Sequence, residues 1–482
     1  MGNPQRADHT PAPLPSTLTH PMSSKIKRIF GTDGVRGTAN IEPVTAETAL
    51  RLGQAAAHVF KHLESQARGR EKHKIVLGKD TRLSGYMLEN ALSSGILSMG
   101  VDVLFIGPVP TPGVAYVTRS LRADAGIVIT ASHNPYQDNG IKFFGADGYK
   151  LDDDIEQQIE ALVFSGEIED IRPSADEIGK AVRIDDALGR YIEFAKASFP
   201  RGQTLEGFRI VVDCANGAAY KATPCVLREL GAEVYVYGDR PNGMNINEAC
   251  GSMHPENLCR RVREHGADLG IAHDGDADRV LLCDEKSELI DGDDVLAIAG
   301  LDMLQKGLLR HNTLVATVMS NAGLEAAIQA AGGRVVRTPV GDKHVIDEML
   351  RSDYNLGGEQ SGHLIFGDYS TTGDGLAAAL QILRVLKERN IPLSELRQCW
   401  TRFPQRVTNI RVREKRPFDQ MSGVLELVQE AEVELQASGG RILLRYSGTE
   451  PKARLLVEGR DSDILDAWTR RIADTIRQQV GA

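Results

Sequence analysis

One segment of the chain places a hydroxyl and an imidazole side by side where a strand is predicted to end. The segment reads ITASHNPYQDNGIKF (129–143) and overlaps a run of β-forming residues at 125–129. Ser132 and His133 lie in its polar part. Ser and Asn also satisfy orphan backbone groups, so a capped turn is the alternative interpretation. The chemical interpretation is that the hydroxyl of Ser132 is a nucleophile held on a loop.

Three carboxylates alternate with small residues in GIAHDGDADRVLLCD (270–284). Asp274, Asp276 and Asp278 repel one another on so tight a segment unless a cation lies between them. Gly275 and Ala277 are small enough for the backbone to curl and let the oxygens converge. A divalent ion that prefers oxygen ligands, Mg²⁺, is the predicted occupant. A solvated acidic loop is the alternative, and an EF-hand is disfavoured because the flanking residues are predicted to be strands.

Two further loops carry groups that could bind a phosphorylated sugar. LGGEQSGHLIFGDYSTTGDG (356–375) places Glu359, Ser361 and His363 among glycines, which allow the main chain to approach a ligand closely. LLRYSGTEPKARLLV (443–457) offers guanidinium, hydroxyl and backbone N–H groups, the parts of a phosphate site. The residues of that second loop are Arg445, Ser447, Gly448, Thr449 and Arg454. Taken alone, each loop is also compatible with an ordinary turn.

Two glycine-containing turns add charged residues. RIFGTDGVRG (28–37) contains Arg36, and LGKDTRLSG (77–85) contains Lys79, Asp80 and Arg82. Taken singly, each of these segments is interpreted as an ordinary surface turn.

A repeated pattern predicts the elements that position these loops. Three segments, 74–107, 209–238 and 313–341, each run from apolar β-formers through a polar turn into a helix. Each helix ends at Gly before a second Val-containing strand, so helix stop signals and strand composition agree. Such βαβ units imply mainly parallel sheets covered by helices. The sequence therefore predicts the α/β fold class.

The length of 482 residues exceeds what one compact core accommodates. We expect three similar α/β domains with mainly parallel, mixed sheets and then an antiparallel α+β domain. The N-terminal segment is predicted to be disordered, or an over-long start with Met22 as the true beginning. The predicted boundaries are 1–25 for this extension, 26–185, 186–293 and 294–398 for the α/β domains, and 399–482 for the last domain.

Composition excludes several functional classes. The net charge of −10 argues against non-specific binding of nucleic acid, which needs a basic face. No apolar run reaches the roughly 20 residues that span a bilayer, and the first residues lack the apolar core of a secretion signal. The six cysteines form no CxxC pair, so reduced thiols are expected. We therefore expect a cytoplasmic enzyme with no nucleic-acid or membrane partner.

Together, a hydroxyl nucleophile, a metal site, a hydroxyl-binding loop and a phosphate site are what phosphoryl transfer on a phosphorylated sugar requires. The chain resembles the α-D-phosphohexomutases, and among them the bacterial phosphoglucosamine mutases. The resemblance runs from about Lys25 to the C-terminus. It rests on five motifs in the family's order: FGTDGVRG, TASHNP, DGDADR, GEQSGH and RYSGTEP. It implies four domains around a central cleft, the last one TBP-like.

The resemblance implies a reaction and its cofactor. Glucosamine 6-phosphate and glucosamine 1-phosphate would be interconverted through a 1,6-bisphosphate, for UDP-N-acetylglucosamine and peptidoglycan synthesis. Ser132 would carry the phosphate in the resting enzyme. One Mg²⁺ per chain would be held by Ser132, Asp274, Asp276 and Asp278.

The resemblance also assigns the remaining roles. Glu359 and Ser361 would bind sugar hydroxyls. Lys142 and His363 are alternatives for the general acid–base. Arg36, His133 and Arg279 would neutralise charge near the phosphoserine. The non-reacting phosphate would be bound by Arg445, Ser447, Gly448, Thr449 and Arg454.

Two departures from the family pattern concern the metal motif, which more often reads DGDGDR. Ala277 replaces its second glycine, and we expect coordination to survive because a methyl group opposes positive φ less than larger side chains do. His273 stands where an apolar residue is common, and the sequence offers no physical reason for it.

Three rival functions stay open at this stage. A phosphomannomutase/phosphoglucomutase uses the same chemistry and differs at Gln360 and in SGTE, where that branch more often resembles SNTTP. A Mg²⁺-dependent sugar phosphatase and a non-catalytic sugar-phosphate-binding protein are the others. The expected partner in every case is a small phosphosugar, and a homodimer is an alternative to a monomer.

Overall fold

The computed structural model describes residues 29–31, 33–68, 72–437, 439–447 and 450–482. The predicted N-terminal extension, including Met22, lies outside the described residues, as do Gly448 and Thr449 of the predicted phosphate loop. The described chain forms four sheets, and we call each sheet with its helices a unit.

The first unit contains a seven-stranded mixed sheet in the order β1-β2-β6-β5-β3-β4-β7. Strands β3, β4, β5 and β7 run parallel, whereas β1, β2 and β6 add antiparallel pairs. The strands are β1 Phe30–Gly31, β2 Gly34–Thr38, β3 Lys74–Lys79, β4 Asp102–Pro108, β5 Ala125–Ile129, β6 Asp138–Gly145 and β7 Ala181–Arg183. Its helices are α1 Ala46–Arg68, α2 Ser84–Ser98, α3 Thr111–Ser120 and α4 Asp153–Ser165.

The second unit has the sheet order β12-β11-β10-β8-β9, with β8, β9 and β10 parallel. Its elements are α5 Ala187–Ala197, β8 Arg209–Asp213, α6 Ala222–Glu229, β9 Glu233–Tyr237, α7 Pro255–His265, β10 Leu269–His273, β11 Val280–Asp284 and β12 Leu289–Ile290.

The third unit has the order β14-β13-β15-β16, with β13 parallel to β14 and β15. Its elements are α8 Gly292–Gln305, β13 Thr313–Thr317, α9 Ala322–Ala330, β14 Arg334–Thr338, α10 Asp342–Arg351, β15 Leu356–Gly358, β16 Leu364–Phe366, α11 Gly375–Arg389 and α12 Leu393–Leu396.

The fourth unit is an antiparallel sheet in the order β17-β19-β18, packed against two helices. Its elements are β17 Gln405–Arg411, α13 Val424–Gln436, β18 Arg441–Tyr446, β19 Lys452–Glu458 and α14 Ser462–Val480. Single-turn 3-10 helices occur at Glu167–Glu169, Ala175–Glu177, Ala218–Tyr220, Gly251–Met253, Arg310–Asn312, Arg397–Cys399 and Phe418–Gln420.

The predicted fold class is confirmed. Each predicted βαβ segment contains two parallel, directly paired strands joined by a helix: β3-α2-β4, β8-α6-β9 and β13-α9-β14. The domain boundaries predicted from the sequence stay predictions.

The three α/β units share one arrangement that matters for the site. In each, the first strand of the βαβ segment also pairs in parallel with a third strand, β5, β10 or β15. That third strand is followed by a loop and an antiparallel partner strand. The three loops contain Ser132, the Asp274–Asp278 triplet and Glu359. Equivalent positions of three sheets therefore carry the predicted chemistry.

The second and third units share one hydrophobic core. Buried residues of β8 and β11, such as Val212 and Val280, belong to the same cluster as Leu314 of β13 and Leu380 of α11. Within the part of the chain that the structure describes, no helix combines the length and apolarity needed to cross a membrane.

Candidate active site

Ser132 is held in an unusual backbone conformation just beyond β5. It is buried, and its φ of 49° lies in the left-handed region that non-glycine residues seldom adopt. The backbone N–H of Ser132 donates to Oγ1 of Thr130 at 2.9 Å. A Cβ on Gly275 would lie 2.6 Å from the backbone oxygen of Ser132, so only glycine allows the metal loop to pack this closely. The serine loop is thus fixed against the second unit.

The hydroxyl of Ser132 donates to Oδ2 of Asp274 at 2.5 Å. Because a hydroxyl carries one proton, Nδ1 of His133, 3.3 Å from Oγ, is the donor in their contact. Burial, together with the positive charges of Arg279 and Arg36, lowers the pKa of His133 to about 4. The imidazole is therefore neutral near pH 7 when Ser132 carries no phosphate. In that state it contributes a hydrogen bond, whereas the role implied by the resemblance was charge neutralisation.

The three aspartates of the metal loop converge in a buried cluster. One oxygen from each of Asp274, Asp276 and Asp278 lies within 4.8 Å of the others. Oδ1 of Asp276 and Oδ1 of Asp278 are buried without a hydrogen-bond partner. Burial and the charges of Asp278 and Asp276 raise the pKa of Asp274 well above its usual range. A bound cation would relieve the repulsion and occupy the orphaned oxygens, so the donor set fits a divalent metal.

The substitution of alanine for the second glycine does not disrupt this convergence. Ala277 adopts φ 59°, and its backbone N–H donates to the oxygen of Asp274 at 3.2 Å. The turn that a glycine would form is therefore made by Ala277.

Lys142 lies on β6 and reaches the metal loop. Its ammonium is 3.1 Å from Oδ2 of Asp276, 3.1 Å from Oδ2 of Asp33 and 3.5 Å from Oδ2 of Asp278. Burial alone would lower the pKa of Lys142, but these carboxylates raise it above its ordinary value. The side chain is thus a buried cation at the edge of the metal site.

His363 reaches the same carboxylates from the third unit. Its Nδ1 lies 3.6 Å from Oδ2 of Asp278, and its Nε2 lies 3.6 Å from Oδ2 of Asp342. A backbone bridge between Arg279 and His363 joins the two loops. The ring also packs on Gly373, where a Cβ would lie 2.3 Å from Nε2. Both predicted acid–base candidates are therefore adjacent to the metal loop.

The two predicted arginines of the site keep part of their guanidinium without a partner. Arg36 pairs with Asp33, whereas Nε of Arg36 and Nε of Arg279 are buried without a hydrogen bond. Burial alone would lower the pKa of Arg279, but Asp278 and Asp274 raise it. Unpartnered N–H groups on fixed cations are suited to an incoming anion.

The predicted sugar loop follows β15. Oε1 of Glu359 accepts a hydrogen bond from the backbone N–H of Gly341 at 2.9 Å, and Oγ of Ser361 donates to Oε2 at 3.4 Å. The amide of Gln360 instead donates to Oδ2 of Asp291 at 3.1 Å. Glu359 and Ser361 are thus adjacent, whereas the side chain of Gln360 is engaged within its own unit.

The predicted phosphate loop lies on the fourth unit. Arg445 on β18 pairs directly with Arg454 on β19, and burial together with Arg454 lowers the pKa of Arg445. Ser447 is buried and accepts a hydrogen bond from the backbone N–H of Glu450 at 3.3 Å. Among the described residues, no hydrogen bond or ion pair connects Arg445, Ser447 or Arg454 to the other three loops.

Comparison with known families agrees with this geometry. Four domain descriptions of the phosphoglucomutase/phosphomannomutase family match in order: alpha/beta/alpha domain I at 27–169, domain II at 189–288, domain III at 291–403 and the C-terminal domain at 407–475. The chain belongs to this family. The resemblance inferred from five motifs is confirmed at that level.

Relatives of this phosphoglucomutase/phosphomannomutase family member cover nearly its whole length. It is 57% identical to the phosphoglucosamine mutase of Syntrophotalea carbinolica, over 94% of this chain and 98% of the relative. It is 56% identical to that of Geotalea daltonii, over 95% and 99% of the two chains.

Solved structures share its fold. A family protein from Burkholderia thailandensis superposes with a TM-score of 0.75 at 23% identity, over 94% of this chain and 99% of that one. Aspergillus fumigatus N-acetylphosphoglucosamine mutase, in complex with GlcNAc-6P and magnesium, gives 0.62 at 18% identity, over 94% and 96%.

For the turn at 77–85, the surface-turn interpretation is wrong. Lys79, Asp80 and Arg82 are all buried. Nε of Arg82 pairs with Oδ2 of Asp80 at 2.8 Å, and its other nitrogens donate to backbone oxygens of the serine loop, including that of Ser132 at 2.9 Å. Asn247 donates to the same oxygen at 2.9 Å. The sequence did not identify Arg82 and Asn247 as residues that hold the Ser132 loop, because an isolated polar residue outside a strand resembles part of a solvated turn.

His273, which the sequence left unexplained, ties the metal loop to its unit. Its Nδ1 lies 3.1 Å from the backbone oxygen of Arg279 and its Nε2 lies 3.0 Å from Oγ1 of Thr223. Since a carbonyl oxygen only accepts, Nδ1 carries the proton and the threonine hydroxyl donates to Nε2. Burial lowers the pKa of His273 to about 4, which keeps this arrangement neutral.

Proposed function

We propose that this protein is a phosphoglucosamine mutase that interconverts glucosamine 6-phosphate and glucosamine 1-phosphate. The observation that carries the proposal is the hydrogen bond from Ser132 to Asp274 at 2.5 Å, because it places a nucleophilic hydroxyl on a buried carboxylate triplet. Relatives that are 54–57% identical over nearly the whole chain bear that name. The product would supply UDP-N-acetylglucosamine and peptidoglycan synthesis.

In the proposed resting enzyme Ser132 is phosphorylated. In the first transfer the bond between Oγ and phosphorus breaks while the O1 hydroxyl oxygen of the sugar bonds to the phosphorus. The O1 hydroxyl proton passes to a base, and Oγ receives a proton from an acid as it leaves, so Ser132 becomes a neutral hydroxyl. The resulting 1,6-bisphosphate turns over, and Oγ of Ser132 bonds to the phosphorus of its 6-phosphate while the bond from that phosphorus to O6 breaks. The serine proton passes to a base and O6 receives a proton, which restores the phosphoenzyme and releases glucosamine 1-phosphate.

Asp274, Asp276 and Asp278, together with an oxygen on Ser132, are proposed to hold one Mg²⁺. When bound, this ion supplies the positive charge that offsets the oxygens of the transferring phosphoryl group. The fixed guanidiniums of Arg36 and Arg279 add to that charge from the protein side.

Lys142 and His363 are the two proposed acid–base residues. Both contact carboxylates of the metal loop, at 3.1 Å and 3.6 Å. In the free protein these carboxylates raise the pKa of Lys142 and keep it a charged ammonium, so a proton donor is available beside the metal loop once their negative charge is offset. Comparing Lys142→Ala with His363→Ala in single-turnover phosphorylation and dephosphorylation of Ser132 assigns the direction that each one serves.

The substrate is proposed to bind across two units. Glu359 and Ser361 would accept and donate hydrogen bonds to sugar hydroxyls. The positively charged pair of Arg445 and Arg454, with Ser447, Gly448 and Thr449, would bind the non-reacting phosphate. Since Arg445 and Arg454 repel each other in the free protein, an anion between them is favoured.

The second candidate is a phosphomannomutase/phosphoglucomutase. One observation favours keeping this candidate. Gln360 is a residue by which the sequence separates the two branches, and its side-chain amide donates a hydrogen bond to Asp291. That amide therefore does not distinguish substrates by direct contact. A side-by-side assay of glucosamine 6-phosphate, glucose 6-phosphate and mannose 6-phosphate separates the candidates. A clear preference for mannose 6-phosphate would replace the proposed function.

The decisive experiment follows phosphate on Ser132. Intact mass before and after phosphatase treatment, with mapping of the peptide that contains Ser132, should show one phosphate on the wild type. Ser132→Ala should carry none and should not isomerise glucosamine phosphate. Ser94→Ala, an exposed serine of α2, is the matched control and should behave as the wild type. Release of inorganic phosphate in place of isomerised sugar would identify a phosphatase instead.

Two further expectations stay predictions. A homodimer is tested by light scattering of the purified protein, and a cytoplasmic location is tested by fractionation of cells that produce it.

A further inference from the structure

Acidic and basic side chains from three units alternate in a closed ring beside the metal loop. Lys142 lies 3.1 Å from Oδ2 of Asp33, and Oδ1 of Asp33 lies 2.5 Å from the ammonium of Lys150. Lys150 pairs in turn with Asp342. Asp342 and Asp278 flank His363, each at 3.6 Å, and Asp278 returns to Lys142 at 3.5 Å. We call this set the ion-pair ring: Asp33, Lys142, Lys150, Asp278, Asp342 and His363.

The ring joins the two proposed acid–base residues, Lys142 and His363, by a path that avoids the metal ligands. That path consists of Asp33, Lys150 and Asp342. Lys150 belongs to the first unit and Asp342 to the third, and their side chains are only 11% and 14% exposed. Burial alone would lower the pKa of Lys150, but Asp342 and Asp33 raise it, so the residue is a charged link between units.

Asp342 occupies a position from which it can orient two groups. It is the first residue of α10, directly after Gly341, whose φ is 128°. The N–H of Gly341 donates to Glu359 at 2.9 Å, while Asp342 itself faces Nε2 of His363. The start of α10 therefore holds a sugar-binding candidate and an acid–base candidate together. Lys150 fixes that helix start relative to β6, which carries Lys142.

We propose that Lys150 and Asp342 are positioning residues that keep Glu359 and His363 in register with Lys142 and Ser132. The inference rests on the proposed function and adds two residues, Lys150 and Asp342, that pair with Asp33, with each other and with His363. A mutation far from the reacting atoms is enough to lower a rate about 100-fold when it misplaces a catalytic group by about 1 Å. Loss of the Lys150–Asp342 link is expected to act in this way, through turnover more than through binding.

A neighbouring contact crosses the same joint without entering the ring. Lys343 donates to the backbone oxygen of Leu151 at 3.1 Å and pairs with Asp153. Lys343→Ala is therefore the matched control, because it removes one contact between the first and third units and leaves the ring intact.

The kinetic test compares variants of the full chain. Lys150→Ala and Asp342→Asn are each expected to lower kcat for glucosamine 6-phosphate about 100-fold with KM changed about twofold or less. Lys150→Arg, which keeps the charge, should recover at least about tenfold of that loss. Lys343→Ala should keep the kcat of the wild type. Equal losses in Lys150→Ala and Lys343→Ala, or an unchanged kcat in Lys150→Ala, would overturn the proposal.

A second readout needs neither substrate nor metal. In EDTA, the thermal unfolding midpoints of Lys150→Ala, Asp342→Ala and the double variant should be non-additive, because the two residues act as one pair. Additive shifts would contradict the link. Should the wild type isomerise no hexose phosphate, the proposed function fails, whereas the midpoints still decide whether the link exists.

Discussion

The guanidinium of Arg82 donates a hydrogen bond to the backbone oxygen of Ser132 at 2.9 Å, across 50 positions of sequence. The same side chain donates to the oxygens of Asn134 at 2.8 Å and Asp138 at 3.0 Å and pairs with Asp80. One buried cation thus holds the loop that presents the proposed nucleophile in its left-handed conformation.

Arg82→Ala is expected to lower turnover about 100-fold, because the serine loop loses its anchor and the hydroxyl shifts. It should also lower the free energy of unfolding by about 3–5 kcal/mol, since Asp80 is left as a buried charge without its partner. Urea unfolding and the fraction of phosphorylated Ser132 measure the two effects.

The control for Arg82 is Arg310→Ala, which removes an exposed guanidinium paired with Asp353 and Asp368. Its unfolding free energy should stay within about 1 kcal/mol of the wild type, with full activity. Equal effects in the two variants would contradict the anchoring role of Arg82.

The sequence predicted those parts of the fold that depend on short-range pattern. The segment 209–238 shows this: its strand composition, helix and terminal Gly231 specify β8, α6 and β9, because each signal acts over a few residues. Ser132 and the aspartate triplet were also singled out by residue type and spacing, and the structure brings them together, while their catalytic roles stay predictions.

What the sequence did not predict depends on how the units pack. The hydrogen bond from Ser132 to Asp274 spans 142 positions and exists because equivalent loops of two sheets face each other. Lys150 stands in an ordinary-looking turn, GYK, and its partners Asp33 and Asp342 lie 117 and 192 positions away. The burial of Arg82 has the same origin. Local patterns carry no information about such neighbours.

Another prediction concerns the metal loop and the effect of metal removal on stability. In metal-free protein burial and the charges of Asp278 and Asp276 raise the pKa of Asp274, so the ionised form of Asp274 lowers the stability of the folded protein. Adding Mg²⁺ at about 100 times its dissociation constant should raise the unfolding free energy by about 3 kcal/mol. Asp278→Asn should lose most of this response, as calorimetry or thermal unfolding with and without EDTA can measure. An undiminished response would place the metal elsewhere, and Asp353→Asn serves as the exposed control.

The next prediction concerns Asp374 and the dependence of stability on pH. This buried residue caps α11, accepting from the N–H groups of Leu376 and Ala377, and accepts a hydrogen bond from the hydroxyl of Tyr191. Burial raises its pKa from 3.8 to about 6. Between these values the unfolded chain releases the proton before the folded chain does, so the contribution of Asp374 to stability falls as pH rises.

Asp374→Asn keeps a capping acceptor and cannot ionise. Its unfolding free energy relative to the wild type should therefore rise by about 3 kcal/mol between pH 3.8 and pH 7, the equivalent of about two pKa units. Urea unfolding of both proteins across this range measures the difference. A difference that does not change with pH would show that Asp374 ionises as freely in the folded protein as in the unfolded chain.

The last prediction concerns Glu458, a residue of the fourth unit. It is fully buried on β19, accepts a hydrogen bond from the N–H of Ala322 at 3.1 Å, and pairs with Arg441. It therefore fastens the unit that carries Arg445 and Arg454 to the start of α9. Glu458→Gln should weaken this joint and raise KM for glucosamine 6-phosphate about tenfold, equivalent to about 1.4 kcal/mol of binding, with a smaller change in kcat.

Small-angle scattering tests the same joint by shape. We expect the wild type to contract when sugar phosphate is added, because closure of the fourth unit brings its phosphate-binding residues to the substrate and excludes water. Glu458→Gln should be more expanded without ligand and should need more ligand to contract. A radius of gyration that is identical with and without sugar phosphate in the wild type would show that the substrate binds to a rigid cleft. An effect of Glu458→Gln on KM would then come from the stability of the fourth unit alone.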